Sequence, residues 1–178
     1  MSVILNVFFD KEWHHYESRD EVTSAISGIL EGGGAGARAE GSRSADAGAW
    51  FGFSDFRVEG NDMPDNFLRV AVNEETGYGG LAWGVTDRHP IPSGVWISDN
   101  PNPPEFDPRV ISDPGCPVFY EPQSTLPLGL VRAALEEFCY LGTGARPVCV
   151  RWVRGNVNGR RLDSELKVEI VDDIDPWA

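Results

Sequence analysis

The apolar positions near the start of the chain predict a strand followed by a helix. Residues 3–9 are rich in β-formers and end at Asp10, which indicates an opening strand. Ser18 and Glu21 then have the spacing of a helix capping box. Apolar residues follow at helical spacing: Val22, Ala25, Ile26 and Ile29. We expect this helix to end at the glycines that begin with Gly32.

The middle of the chain has the patterns of β-structure. Strands are predicted at residues 50–58, 67–73, 80–86 and 95–98. Within the second of these, Leu68, Val70 and Val72 alternate with other residues and therefore share one apolar face. The polar turn that follows predicts an antiparallel hairpin between the second and third strands. A proline-rich connection then extends to Pro108 and is unsuited to a central strand.

The last third of the chain predicts a short strand, a clear helix and two further strands. The short strand covers residues 116–120, and Pro127 occupies the first turn of the helix. The helix has one apolar stripe: Leu128, Val131, Ala134, Leu135, Phe138 and Cys139. Gly142 and Gly144 end it. A strand at 148–153 should pair with one at 166–171, so the fold class is α+β, a mostly antiparallel β-sheet with two main helices packed on one side.

The length of 178 residues indicates a single domain over residues 1–178. Residues 31–49 consist of glycine, alanine, serine and charged residues without an apolar period, which predicts a flexible insert. The insert also lacks the spacing of a phosphate-binding loop. Residues 172–178 are expected to form a loose acidic tail.

The charge balance narrows the classes of partner. The net charge is −13, from 28 acidic and 15 basic residues. Direct binding to nucleic acid or to an anionic membrane is therefore disfavoured, because both require cationic side chains. A basic protein is the natural electrostatic partner, although acidity can also serve solubility alone. Without a run of about 20 apolar residues or a basic leader, the chain is expected to be cytoplasmic.

Candidate catalytic and metal-binding residues do not form a recognisable site. Cys116, Cys139 and Cys149 lack a paired spacing, and the last two are expected to be buried free thiols in a helix and a strand. His14 and His15 are adjacent and should point to opposite faces of an extended segment. No nucleophile has a base in a known motif, and the zinc deaminase pattern is absent. We therefore expect no enzyme, no metal and no cofactor.

Three segments of the C-terminal two thirds resemble immunity protein family 1 of bacterial polymorphic toxin systems. They are the helix LPLGLVRAALEEF at 126–138, the connection and strand TGARPVCVRW at 143–152, and the hairpin strand GYGGLAW at 77–83. The resemblance covers residues 67–152. It does not extend to the insert or to residues 154–178.

The resemblance implies that the protein binds and neutralises a cognate toxin encoded beside it. Toxins paired with this family are often nucleic-acid deaminases, with nucleases as another class. Two alternatives stay open at this point: an adaptor or regulatory binding domain unrelated to toxins, and an enzyme of unrecognised type.

The predicted partner-binding residues lie in acidic loops that also carry aromatic side chains, because such anchors concentrate interface energy. They are Glu74, Glu75, Tyr78, Trp96, Asp99, Glu105, Phe106 and Asp107. We expect these loops to cover the cationic active site of the toxin and to exclude its substrate. In the opposing interpretation, Tyr78 only closes a hairpin and Trp96 lies in the core. Trp83 and Trp152 are assigned to the core, and Trp50 is left open.

Overall fold

The computed structural model describes residues 3–31, 48–87, 92–113 and 118–164. This part of the chain contains ten strands, two α-helices and a 3-10 turn at Pro122–Ser124. In chain order the elements are β1 (Ile4–Phe9), β2 (Glu12–Tyr16), α1 (Arg19–Leu30), β3 (Gly48–Ser54), β4 (Asn66–Asn73), β5 (Tyr78–Val85), β6 (Gly94–Asp99), β7 (Ile111–Asp113), β8 (Val118–Phe119), β9 (Thr125–Pro127), α2 (Leu128–Leu141) and β10 (Arg151–Gly155).

Eight strands form one antiparallel sheet in the order β10-β6-β5-β4-β3-β1-β2, with β9 also paired to β5. Strand β5 pairs with β4 along its whole length, so β9 and β6 share its other edge, one at each end. Ser98 bridges the gap between them. Its hydroxyl accepts from the Leu81 N–H at 3.0 Å and donates to the Ser124 carbonyl at 2.7 Å. The sheet thus continues across a break in its backbone ladder.

The two faces of the sheet carry separate cores. On one face, α1 and α2 bury residues such as Ile26, Val131 and Phe138 against sheet residues that include Phe51 and Leu81. Full burial of one such side chain stabilises the fold by about 1.5–3 kcal/mol. On the other face lies a smaller cluster: Ala71, Ala82, Ile97, Val110 and Tyr120. The helices pack on one side as predicted, and the α+β fold class is confirmed.

The predicted start of α1 and the predicted end of α2 are confirmed in atomic detail, whereas Pro127, predicted in the first turn of the second helix, lies just before that helix. Ser18 caps α1, since its hydroxyl accepts from the Glu21 N–H at 3.3 Å and its own N–H donates to the Glu21 carboxylate at 3.1 Å. Hydrogen bonding of the Glu21 carboxylate to the side chain and to the backbone N–H of Ser18 lowers the pKa of Glu21. Helix α2 follows Pro127 directly and ends at Gly142, which has the left-handed conformation.

The strand predictions are correct in the middle of the chain and incomplete elsewhere. The hairpin of β4 and β5 is confirmed, with Asn73 opposite Tyr78. Strands β2, β7 and β9 were not predicted. Strand β3 ends at Ser54, and the Val58 N–H instead donates to the buried Asn6 side chain at 3.0 Å. Strand β10 pairs with β6, a pairing that the sequence did not indicate.

Several sequence predictions fall outside the described residues. These are most of the insert, the strand at 166–171, the acidic tail and Cys116. The last two residues assigned to the insert, Gly48 and Ala49, begin β3 instead, and Ala49 is fully buried. Among the helices of the described part, none combines the length and apolar character needed to cross a bilayer.

The prediction for Cys149 was wrong, whereas Cys139 is buried as expected. Cys149 is exposed and precedes β10, because the preceding segment is held by a helix side chain rather than by the sheet. The Glu137 carboxylate of α2 accepts from the Val148 and Cys149 N–H groups at 2.7 and 3.0 Å. Although partial burial raises the pKa of Glu137, hydrogen bonds from the Cys149 thiol and from these two amides outweigh it and lower that pKa.

Replacement of Glu137 by glutamine should lower the free energy of unfolding by about 1 kcal/mol at pH 7, since a charged acceptor is lost. The pKa of Glu137 is lower in the folded protein, so this stabilisation is complete above the ordinary value of 4.5. It disappears as the pH falls through the folded pKa, and the two proteins should then converge. Urea unfolding at several pH values measures the difference. Glu136→Gln is the control, because Glu136 has only a 3.9 Å ion pair with Arg132. A pH-independent difference would contradict the assignment.

Candidate functional site

The hairpin between β4 and β5 meets the proline-rich loop at one place on the surface. The rings of Tyr78 and Phe106 lie 5.6 Å apart at 86°, an edge-to-face contact. Phe106 is 51% exposed and Tyr78 is half-buried. Four exposed acidic residues lie on the same two segments: Glu74, Glu75, Glu105 and Asp107. We call these six residues the hairpin–loop surface.

Hydrogen bonds fix the two segments to each other. The Asn73 amide and the Thr76 hydroxyl both donate to the Pro108 carbonyl, at 2.9 and 3.0 Å. The turn itself requires Gly77, whose φ is 74°. The Gly77 carbonyl accepts from the Leu128 N–H at 3.0 Å, which ties the turn to the start of α2. The surface is therefore largely ordered before any partner binds, which lowers the entropic cost of association.

The hairpin–loop surface is predominantly negative. The nearest basic residue in sequence, Arg109, donates its backbone N–H to the Asp107 carboxylate at 2.8 Å. Its guanidinium lies over the Phe119 ring, 5.1 Å from the centroid, and not among the acidic side chains. A cationic partner is therefore favoured at this surface.

Trp96 and Asp99 lie elsewhere. Trp96 is half-buried on the helix side of the sheet, 5.2 Å from Trp83, whereas Tyr78 packs with the core on the opposite face. The guanidinium groups of Arg146 and Arg154 lie 4.9 and 4.5 Å from the Trp96 ring centroid. The structure thus separates Trp96 from the hairpin–loop surface, and its contact with a partner stays a prediction.

Asp99 is part of an ion-pair network. Its carboxylate lies 2.9 Å from the Arg161 guanidinium and 3.4 Å from that of Arg151, and its side chain is only 14% exposed. Arg161 also pairs with Asp163 at 2.8 Å. The charge of Asp99 is therefore largely balanced within the protein, which leaves little of it for steering a partner.

The segments that carry the family resemblance meet around two tryptophans. The Trp83 indole donates to the Gly144 carbonyl at 3.0 Å, and the Trp152 indole donates to the Pro147 carbonyl at 2.7 Å. Arg146 lies over the Trp83 ring at 5.6 Å. Trp83 is buried and Trp152 packs against the same core, as predicted. These residues hold the connection from α2 to β10, so the resemblance is carried mainly by the fold.

An aromatic groove that the sequence analysis missed lies between β1, β2 and β3. Phe8 is the cross-strand neighbour of both Trp13 and Trp50, and all three are half-buried. The groove encloses about 250 Å³, and its lining residues are Phe8, Trp13, Trp50, Gly60, Asn61, Asp62 and Met63. It was missed because Glu12–Tyr16 was not interpreted as a strand; the alternation of Trp13 and His15 was the available signal.

The described residues contain no group of three or more His, Cys, Asp or Glu side chains that could hold a metal ion. His14 stacks on Tyr16 at 6.4 Å, and the His15 ring lies 2.8 Å from the Asn6 amide oxygen. The two histidines pair with adjacent residues of β1 and so point to opposite faces, as predicted. A second cavity of about 490 Å³ is lined by Val118, Phe119, Glu121, Asn158, Gly159 and Arg160. Its lining includes no histidine or cysteine.

Comparison with known proteins identifies a family of immunity proteins. The family model of immunity protein Imm1 matches residues 12–154, most of the chain. This match extends beyond the segment 67–152 that carries the resemblance in sequence. It also includes β2, α1, β3 and the insert. No curated protein and no solved structure matches the chain. The chain belongs to the Imm1 family of immunity proteins, and its partner is accordingly a cognate toxin.

Proposed function

We propose that this immunity protein neutralises a nucleic-acid deaminase toxin by covering its active site with the hairpin–loop surface. The observation that carries the proposal is the convergence of two acidic loops, about thirty residues apart in sequence, around the Tyr78–Phe106 pair. Such a surface combines a large exposed aromatic side chain with a charged rim, the arrangement typical of energetic anchors in interfaces.

Charge and aromatic anchors have different tasks in this proposal. A toxin that acts on nucleic acid needs cationic side chains near its active site to hold the phosphates. Glu75, Glu105 and Asp107 attract those cations and accelerate encounter, but exposed charges are screened by salt and add little affinity. Binding at 1 nM requires about 12 kcal/mol. Buried contacts of Tyr78 and Phe106 must therefore supply much of it.

The toxin's chemistry is tested with the product of the neighbouring gene. Its C-terminal domain, purified with and without the immunity protein, should deaminate a cytosine- or adenine-containing oligonucleotide, and an equimolar amount of the immunity protein should abolish this activity. Strand cleavage in place of deamination would replace the deaminase by a nuclease. A ternary complex that keeps full activity would reject occlusion of the active site.

The steering role predicts a change in association rate. The triple variant Glu75→Gln, Glu105→Gln, Asp107→Asn should associate with the toxin about 10-fold more slowly at low salt. Its dissociation rate should change little, and the difference should shrink as salt is added. Stopped-flow or surface-based kinetics measures both rates.

The matched control removes three exposed carboxylates outside the hairpin–loop surface, at Asp20, Asp55 and Asp87. It makes the net charge less negative by the same amount, so a general charge effect would slow both variants equally. Equal association rates for both variants at low salt would reject local steering by the hairpin–loop surface.

A further inference from the structure

The aromatic groove opens on the same face of the sheet as the hairpin–loop surface. Cross-strand pairing aligns Phe8 with Trp50, Trp50 with Arg69 and Arg69 with Ala82. Paired residues share a face, and Ala82 belongs to the same small core against which Tyr78 packs. A partner that covers this face can therefore reach both the hairpin–loop surface and the groove.

The walls of the groove are held in place from behind. The Trp13 indole donates to the Gly60 carbonyl at 3.2 Å, which joins β2 to the loop that forms the rim. Trp50 packs against Phe67 at 5.0 Å and under the Arg69 guanidinium at 5.1 Å. Arg69 is itself fixed, because it donates to the Val157 carbonyl at 2.9 Å. The two indoles thus have defined positions without a ligand.

The size and composition of the groove select its ligand. About 250 Å³ is below the range of roughly 300–1,000 Å³ that is usual for small-molecule sites, and it suits a single inserted side chain. The apolar walls end at a rim with Asn61 and Asp62, both exposed. Within the described residues, no cationic side chain forms an ion pair with Asp62. Indole faces beside an unpaired carboxylate favour a planar cation.

We propose that the aromatic groove receives an arginine side chain of the toxin, stacked on Trp13 or Trp50 with its guanidinium paired to Asp62. The origin of this side chain rests on the proposed function. A second copy of the chain is a poorer donor, since two molecules of net charge −13 repel one another. The groove is then a second anchor, outside the hairpin–loop surface that covers the active site.

The chemistry is tested first without the toxin. N-acetyl-arginine amide is titrated into the protein, and the indole N–H resonances, assigned with Trp13→Phe and Trp50→Phe variants, are followed by NMR. Saturable shifts should be confined to Trp13 and Trp50, and Asp62→Lys should abolish them. The neutral isostere N-acetyl-citrulline amide is the control. Equal shifts with both compounds, or none with the arginine derivative, would overturn the proposal.

The second arm uses the toxin. Asp62→Lys should weaken the complex at least 10-fold, whereas Asp55→Lys, which makes the same charge change outside the groove lining, should weaken it much less. Wild-type affinity of the Asp62→Lys variant would overturn the groove proposal and leave the proposed function intact. If the wild-type protein does not bind the toxin at all, the proposed function fails, and with it the toxin arginine as occupant. A dimer in sedimentation that Asp62→Lys dissociates would assign the groove to a second copy and also overturn the proposal.

Discussion

Replacement of Phe106 by alanine should weaken the complex with the toxin by about 2 kcal/mol or more, which is roughly 30-fold in affinity. Phe106 is 51% exposed, so its truncation removes little buried area from the free protein. It also lies edge-on to Tyr78, which keeps the ring in one orientation before the partner binds. Most of the loss should appear in the dissociation rate, in contrast to the carboxylate variant, which changes the association rate.

The control for Phe106→Ala is Leu141→Ala. Leu141 is 60% exposed and lies in the last turn of α2, away from the hairpin–loop surface. Tyr78→Ala is a less direct test, because Tyr78 also packs against the small core beneath the hairpin. Isothermal titration and dissociation kinetics compare the variants. If Phe106→Ala and Leu141→Ala bind the toxin equally well, the hairpin–loop surface is not the anchor of the interface.

Local sequence signals predicted several elements correctly, because the causes of those elements are local. The capping box of Ser18 and Glu21, the glycine end of α2 and the β4–β5 hairpin each depend on residues within a few positions of one another. The prediction that Cys149 lies buried in a strand at 148–153 was wrong for the opposite reason. The carboxylate of Glu137, on a preceding helix, fixes that segment outside the sheet.

The candidate site could be predicted only in part, because it depends on which segments meet in space. Tyr78 and Phe106 were both predicted, but their contact follows from hydrogen bonds of Asn73 and Thr76 to the proline-rich loop. Asp99 was an equally strong candidate in the sequence, but its charge is balanced by Arg151 and Arg161, which lie far from it along the chain. The aromatic groove was not predicted, since it requires the pairing of β1 with both β2 and β3.

Most of the segments that carry the family resemblance lie away from the proposed interface, and the hairpin strand at 77–83 contributes to both through Tyr78. The resemblance runs through Trp83, Gly144, Pro147 and Trp152, whose hydrogen bonds hold the connection between α2 and β10. The hairpin–loop surface and the aromatic groove lie on the other face of the sheet. Membership of the family therefore establishes the scaffold, and the choice of toxin is expected to reside in the exposed loops and in the groove.

Replacement of Gly144 by alanine should lower the free energy of unfolding by about 3 kcal/mol. Gly144 has a φ of 70°, which costs an alanine about 1–2 kcal/mol. A Cβ at this position would also lie 2.6 Å from the side-chain carbon and oxygen of Asn66. Asn66 cannot easily move, because it is buried and its amide makes hydrogen bonds of 3.1 and 3.0 Å with both backbone groups of Phe53. The overlap should add about 1–3 kcal/mol.

Gly142→Ala separates the two contributions. Gly142 has a φ of 64°, but a Cβ there would meet nothing within 4 Å, so only the backbone cost of about 1–2 kcal/mol applies. In urea unfolding, Gly144→Ala should have a clearly lower free energy of unfolding than Gly142→Ala. Equal values would show that the Asn66 side chain moves aside without an energetic penalty. Toxin affinity of the folded Gly144→Ala protein should remain close to that of the wild type, because the connection lies on the helix side of the sheet. If the Gly144→Ala protein loses affinity for the toxin under conditions in which it is fully folded, the toxin binds on the helix side of the sheet instead.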